Sequence, residues 1–201
     1  MSSSRLLKTI LLGSSNVGKT ALIHRFVNQK FTNSYKATIG ADFMTKSITV
    51  EGKEVTMQTW DTAGNERFIS LSIAFYRGAD CCGLVFDVSN PKSFEQLTMW
   101  KNEFLKNCTT NKNGKFPFVI IGNKIDKGSV ISKEAVTDWI QFNGLDAIYV
   151  ESSALTGDNV DFVFECLAKK ALESEPLLVQ PNETLVQPFK NDDEVEQAPC
   201  C

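Results

Sequence analysis

The sequence predicts an α/β fold: six strands in a mostly parallel sheet, one antiparallel edge strand, and helices on both faces. Three observations predict it. Short apolar runs alternate with helical patterns along most of the chain. Most runs that read as strands are followed by a segment long enough for a crossover helix. A Gly-x-x-x-x-Gly-Lys-Thr stretch, residues 13–20, stands between the first strand and the first helix.

The elements follow in order. Residues 6–12 (LLKTILL) read as a buried strand that ends at Gly13; the run is too short, and too interrupted by Lys8, for a signal peptide. Residues 18–28 read as a helix with Ala21, Leu22 and Phe26 turned inward, and residues 29–41 are polar and aperiodic. Strands at 42–50 and 54–60 are joined by Glu51-Gly52-Lys53, a hairpin signal. Residues 61–76 show no clean period. A strand at 82–88 leads to Asn90-Pro91, which opens a helix reaching about residue 107. A strand at 116–121 ends at Gly122. A helix over about 132–142, capped by Ser132, a short strand at 147–150 and a helix over about 159–172 complete a domain spanning residues 1–173. Residues 174–201 contain Pro176, Pro181, Pro188 and Pro199 and read as a disordered acidic tail.

Charge divides along the same boundary. The 201 residues carry a net charge of -3. Residues 1–173 hold 20 basic and 18 acidic side chains, whereas residues 174–201 hold one Lys and six acids. This mild acidity argues against nucleic acid as a partner. The single histidine, His24, excludes a multi-His metal site and is expected on the outer side of the first helix. No apolar run approaches the ~18 residues of a membrane-spanning helix. None of the six cysteines shows C-x-x-C spacing, and Cys81-Cys82, beside an apolar run, read as buried and reduced. Ser2 excludes N-myristoylation.

Three motifs carry chemistry. In Gly13-Ser14-Ser15-Asn16-Val17-Gly18-Lys19-Thr20, backbone N–H groups and a helix N-terminus would cradle phosphates. Lys19 would reach the terminal phosphates and the Thr20 hydroxyl would ligate Mg²⁺. Asp61-Thr62-Ala63-Gly64 follows the third strand; its carboxylate can hold Mg²⁺ through the water shell, and Gly64 lets a backbone N–H approach a γ-phosphate. Asn123-Lys124-Ile125-Asp126 follows the fifth strand, where the Asp126 carboxylate can accept from guanine N1–H and the 2-amino group. Adenine would leave that carboxylate unpaired. The Lys124 stem can lie along the base, and Ser153-Ala154 are small enough for backbone N–H groups to meet guanine O6. An ATP-using enzyme such as a kinase is the competing class; the NKID stretch and the lack of a lid domain speak against it.

These stretches, with WDTAGNERF (60–68), FYRGAD (75–80), LVFDVSNPKSF (84–94), GNKID (122–126) and the terminal Cys pair, resemble the Ras superfamily of small GTPases, and within it the Rab family. ATIGADF (37–43) and FYRGADCC (75–82) resemble its late-endosomal subfamily. The fold implied is a P-loop NTPase, a small G domain, with GTP or GDP and Mg²⁺ as cofactors. Residues about 31–43 and 62–77 would be two nucleotide-sensing switches. Phe31 would meet the guanine, Tyr35 would lie over the phosphates, and Thr38 would ligate Mg²⁺ and contact the γ-phosphate. Phe43, Trp60 and Tyr76 would form the aromatic trio read by effectors. The resemblance also implies an exchange factor, a GTPase-activating protein, a GDP-dissociation inhibitor, a prenylation escort protein and a monomeric state. It places the protein on the cytoplasmic face of endosomal, late-endosomal or lysosomal membranes, with a cytosolic pool.

The sequence departs from that pattern at two functional positions. Asn65 stands where the family usually has the Gln that orients the attacking water, and Asn is one methylene shorter. Slow intrinsic hydrolysis is expected, with Lys19 and Thr38 still at the reacting phosphate. Leu155 replaces the usual Lys after Ser-Ala, so slightly weaker nucleotide binding is expected. Ser14 and Asn16 should act mainly through backbone, and Ser15 should lie nearest the γ-phosphate. Cys200-Cys201 is not a C-a-a-X ending and resembles the doubly geranylgeranylated one. The acidic tail offers no polybasic attraction, so both lipids should be needed for a stable anchor.

Overall fold

In the computed structural model, residues 5–32, 37–38, 41–65, 69–108 and 116–174 are described, with the side chains of residues 69–72 excepted. The elements are β1 (Arg5–Leu12), α1 (Lys19–Asn28), β2 (Ala41–Val50), β3 (Lys53–Thr62), α2 (Ile69–Tyr76), β4 (Cys81–Asp87), α3 (Pro91–Glu95), α4 (Leu97–Asn107), β5 (Phe118–Asn123), α5 (Lys133–Phe142), β6 (Ala147–Ser152) and α6 (Val160–Glu173). The six strands form one sheet in the order β2-β3-β1-β4-β5-β6. Only the β2–β3 pair is antiparallel, and β2 lies at the edge, as the sequence pattern predicts.

Strand burial explains the order. β4 (CCGLVFD) and β5 (FVIIGN) are buried along their whole length, as strands covered by helices on both faces must be. Alternate residues feed two cores. Leu7, Leu11, Met57, Val85 and Ile121 face α1 and α6, with Phe26 and Phe164 stacked at 3.9 Å between ring centroids. Ile10, Leu12, Phe86, Phe118 and Ile120 face the opposite way, against Trp100 and Phe104 of α4 and Val136 and Ile140 of α5. Cys81 and Cys82 fall on opposite faces by the same alternation; both are free, as are Cys108 and Cys166. The β2–β3 hairpin turns through Glu51 and Gly52 at φ of 49° and 77°, the positive pair that a two-residue turn matching strand twist requires.

Helix starts carry their expected caps. The Ser132 hydroxyl accepts from the Ala135 N–H at 3.1 Å, and Asn90 Oδ1 accepts from the Lys92 N–H at 3.2 Å, with Pro91 at the first helical position. The helix expected to run from Asn90 to about 107 is broken at Gln96 into α3 and α4. A helix the pattern does not predict, α2, occupies residues 69–76. Its mean hydropathy is high with little amphipathic contrast, which is why no period is visible in the sequence.

α2 also corrects one expectation. Tyr76 is fully buried, with its ring 5.3 Å from that of Phe104, so it cannot be read by a partner from outside. Phe75 takes the place expected of it: Trp60 lies between Phe43 at 5.0 Å and Phe75 at 4.9 Å. One helical residue turns a side chain through about 100°, enough to exchange core for surface. The Tyr76 hydroxyl has no hydrogen-bond partner among the described residues, and burial raises its pKa well above the ordinary phenol value. Removing an unpaired buried hydroxyl relieves a desolvation cost of about 1 kcal/mol or more. Tyr76→Phe should therefore leave the urea-unfolding midpoint unchanged or raise it, and a loss of more than about 1 kcal/mol would contradict this account.

Candidate functional site

Three loops meet at the C-terminal ends of the parallel strands, where ligands bind in open α/β sheets. The loop after β1, the end of β3 and the loops after β5 and β6 line one cleft of about 790 Å³. Its walls include Ser15, Asn16, Gly18, Lys19, Thr20, Phe31, Thr38, Gly64, Asn65, Asn123, Lys124, Asp126, Ala154 and Leu155. The sequence motifs, more than 100 residues apart at their extremes, thus reach a single place.

At one end the cleft is built for phosphate. α1 begins at Lys19 with Gly18 before it at φ 96° and no side-chain cap on its N-terminal amides. A Cβ on Gly18 would lie 2.3 Å from Asn123 Nδ2, so only glycine lets the loop turn against β5. Lys19 is 5% exposed, and its Nζ donates to the Gly13 and Ser14 carbonyls at 2.7 and 3.1 Å. Burial lowers its pKa to about 8, opposed by the Asp61 charge. An anion in the cleft would raise it again. Gly64 abuts this lysine: a Cβ there would lie 2.5 Å from Lys19 Nζ and 2.6 Å from the Ser14 carbonyl oxygen. No other residue lets the third-strand loop close this tightly on the phosphate loop.

Beside the lysine, three groups converge. Asp61 Oδ2 accepts from the Thr20 hydroxyl at 2.7 Å and the Thr38 hydroxyl at 3.0 Å, and the two hydroxyls are 3.0 Å apart. Asp61 Oδ1 is buried and has no hydrogen-bond partner. Burial raises the Asp61 pKa, against the pull of Thr20, Lys19 and Thr38. Two hydroxyls and a carboxylate with an orphaned buried oxygen fit a hard, oxygen-seeking cation such as Mg²⁺, whose remaining positions phosphates and waters would fill.

The far end is shaped for a base. Asn123 is buried; its Nδ2 donates to the Val17 carbonyl at 2.8 Å and its Oδ1 accepts from the Ala154 N–H at 3.1 Å. One side chain thereby ties three loops together. Lys124, at φ 69°, lays its ammonium against Asp87 Oδ2 at 2.8 Å and the Asn16 carbonyl. Burial opposes ionisation of Asp87, but hydrogen bonds from Lys124 and Ser89 outweigh it and hold the carboxyl below its ordinary range. The Ser153 hydroxyl donates to Asp126 Oδ1 and fixes that exposed carboxylate. Ser153 therefore contributes a side chain and not only small size.

The remaining expectations fare as follows. Phe31, Thr38 and Asn65 line the cleft, while Tyr35, Cys200 and Cys201 lie outside the described residues. Phe43, 47% exposed, stands opposite Trp60 on the hairpin, with Lys8 Nζ 4.9 Å above the indole. His24 is exposed, as expected, at the cleft rim. Ser14 contributes more than backbone: its hydroxyl donates to Gln96 Oε1 at 2.6 Å and accepts from Trp100 Nε1 at 3.3 Å. Sequence reading misses these anchors, and Asp87 and Arg25 with them, because these partners are 37 to 130 residues away and no local spacing marks them.

A phosphate cradle, a cation site and a base pocket along one sheet edge define a P-loop nucleotide-binding protein of the small G type. The sequence model of the Ras family matches residues 8–173. A Ras-related protein Rab7 of Prunus armeniaca is 53% identical over 175 residues, covering 85% of this chain and 84% of that one. The Ras-related protein RABG3c of Arabidopsis thaliana is likewise 53% identical over 175 residues, covering 85% of this chain and 84% of its own. A Ypt/Rab-type GTPase Rab7 of Gibberella zeae is 53% identical over 173 residues, covering 85% and 84%. The chain belongs to the Ras family, in its Rab branch. Its cofactors are GTP or GDP with Mg²⁺.

Chelating Mg²⁺ should accelerate release of bound GDP from the wild-type protein by roughly 10–100-fold, and much less from Asp61→Asn. Loss of a fluorescent GDP analogue measures both rates; equal acceleration would contradict the cation site.

Proposed function

We propose that this chain is a GTP-driven switch of membrane traffic to late endosomes and lysosomes. The observation that carries the reading is the meeting of Thr20, Thr38 and Asp61 at one point beside Lys19. Small GTPases of this family hydrolyse GTP, and their kinds of partner are effectors, exchange factors, GTPase-activating proteins and GDP-dissociation inhibitors. Late-endosomal membranes are inferred from the likeness to proteins named Rab7.

In this reading Lys19 and the amides of residues 14–18 hold the phosphates. Mg²⁺, when bound, supplies charge neutralisation between them. Of the phosphates, Thr38 and Gly64 contact only the terminal one, so its loss releases both loops. The 153–155 loop and Asp126 read guanine. Phe43, Trp60 and Phe75 carry the state of the switches to a partner, a reading supported by the contact of the Trp60 ring with both of the others. The domain occupies residues 1–173, acts as a monomer, and is tethered by residues 174–201 through lipids on Cys200 and Cys201, attached with the help of a prenylation escort protein.

Asn65 sets the rate. A carboxamide withdrawn by one methylene cannot hold the attacking water where Gln would, and a displacement of ~1 Å costs on the order of 10²-fold. The same residue favours a second reading, a recruiting module that stays GTP-bound with little hydrolysis. Single-turnover hydrolysis should be faster in Asn65→Gln than in wild type by on the order of 10-fold to 10²-fold; equal rates would overturn the assignment. Replacing either Cys200 or Cys201 by Ser should move the protein from the membrane to the soluble fraction, because one lipid chain anchors only marginally. Unchanged partitioning would refute the two-lipid tether.

A further inference from the structure

The base pocket is held from behind by a residue that does not itself line the cleft. Arg25 lies in the last turn of α1 and is half-buried. Its Nε donates to the Ala154 carbonyl at 2.9 Å, its Nη2 donates to the Leu155 carbonyl, and its Nη1 donates to the Gln29 carbonyl at 3.3 Å, next to the end of its own helix. Two consecutive peptide carbonyls of the 153–155 loop are therefore turned outward onto one guanidinium fork.

The consequence follows from peptide planarity. No cis peptide bond occurs among the described residues, so the Ala154–Leu155 unit is trans. In a trans peptide the C=O and the following N–H point in opposite directions. Pinning the Ala154 carbonyl to Arg25 on the α1 side turns the Leu155 N–H toward the cleft that Ala154 and Leu155 line. The neighbouring N–H groups are engaged elsewhere: Ala154 N–H on Asn123 Oδ1 at 3.1 Å, Thr156 N–H on Ser153 Oγ at 3.2 Å, and Gly157 N–H on the Ser153 carbonyl at 2.8 Å. No hydrogen bond among the described residues engages the Leu155 N–H.

We propose that Arg25 is a positioning residue for base selection, which aims the Leu155 N–H at the oxygen on carbon 6 of guanine. The proposal rests on the guanine-binding reading of the 123–126 and 153–155 loops. A donor fixed at that place favours a purine with an acceptor at position 6 and disfavours one with an amino group there. It also accounts for Leu155 in place of lysine: the loop is braced from α1, by two charge-assisted bonds, and not by its own side chain. α1 thereby links the two ends of the ligand, carrying Lys19 for phosphate at its start and Arg25 for the base loop further along.

The test crosses protein with ligand. Affinities of GDP and of 2-aminopurine riboside 5′-diphosphate, which keeps the 2-amino group and lacks the oxygen at position 6, are measured by competition for wild type, Arg25→Ala and Arg25→Lys. Arg25→Ala should weaken GDP by about tenfold or more, the equivalent of one lost hydrogen bond, and leave the analogue nearly unchanged. Arg25→Lys, whose ammonium can hold one carbonyl, should show the same ligand dependence at smaller amplitude and serves if the alanine variant fails to fold. Equal weakening of both ligands would make Arg25 a structural residue only and overturn the proposal, as would unchanged GDP affinity. Failure of the wild-type protein to bind GDP would instead overturn the guanine-binding reading itself.

Discussion

A lysine ammonium held inside the protein among backbone oxygens is the constraint around which this molecule is arranged. Lys19 is 5% exposed and bonded to two carbonyls of the loop that precedes it. Burying a cation without a counter-charge is costly, and here the cost appears as a pKa lowered to about 8 by burial. An anion bound at the same place would offset that cost. Everything around the lysine serves that purpose: α1 starts with uncapped amides, Gly18 lets the loop turn back on β5, and Gly64 brings the third-strand loop to within contact of the ammonium.

The fold supplies the rigidity this needs. β4 and β5 are buried on both faces, so the loops leaving their ends start from fixed points. Asn123, at the end of β5, then bonds to Val17 in the phosphate loop and to Ala154 in the base loop. Ser14 is tied to Gln96 and Trp100 at the start of α4. Phosphate and base ends are thus parts of one network, and a ligand that bridges them adds its own contacts to a frame already set. The antiparallel edge is different. Only Val50 of β2 is buried, and the strand's Phe43 meets Trp60, which in turn meets Phe75.

Much of this was legible in the residues. Parallel strands followed by helices announce the sheet, Glu51-Gly52 announces the hairpin, and the spacing of Gly13, Gly18, Lys19 and Thr20 announces the phosphate loop. The convergence of Thr20 and Asp61 follows once Thr20 is placed at the start of the first helix and Asp61 at the end of the third strand. What was illegible had two physical causes. α2 (ISLSIAFY) is mostly apolar with little contrast between its faces, so no period reveals it, and the choice between Phe75 and Tyr76 depends on helix phase that only packing settles. The bracing contacts of Arg25, Asp87 and Ser14 join residues distant in sequence by single side chains, and a single polar residue carries no local signature.

The central claim is that one cleft selects a guanine nucleotide through Asp126 and the 153–155 loop while Lys19, Thr20 and Asp61 hold its phosphates with Mg²⁺. The most direct measurement is the identity of the nucleotide carried by the purified, full-length protein, read by chromatography after denaturation. The account predicts guanine nucleotide, as GDP, GTP or both, in an amount equimolar with the protein and lost on dialysis against a Mg²⁺ chelator. Adenine nucleotide in its place, or guanine nucleotide retained in full without Mg²⁺, would contradict it.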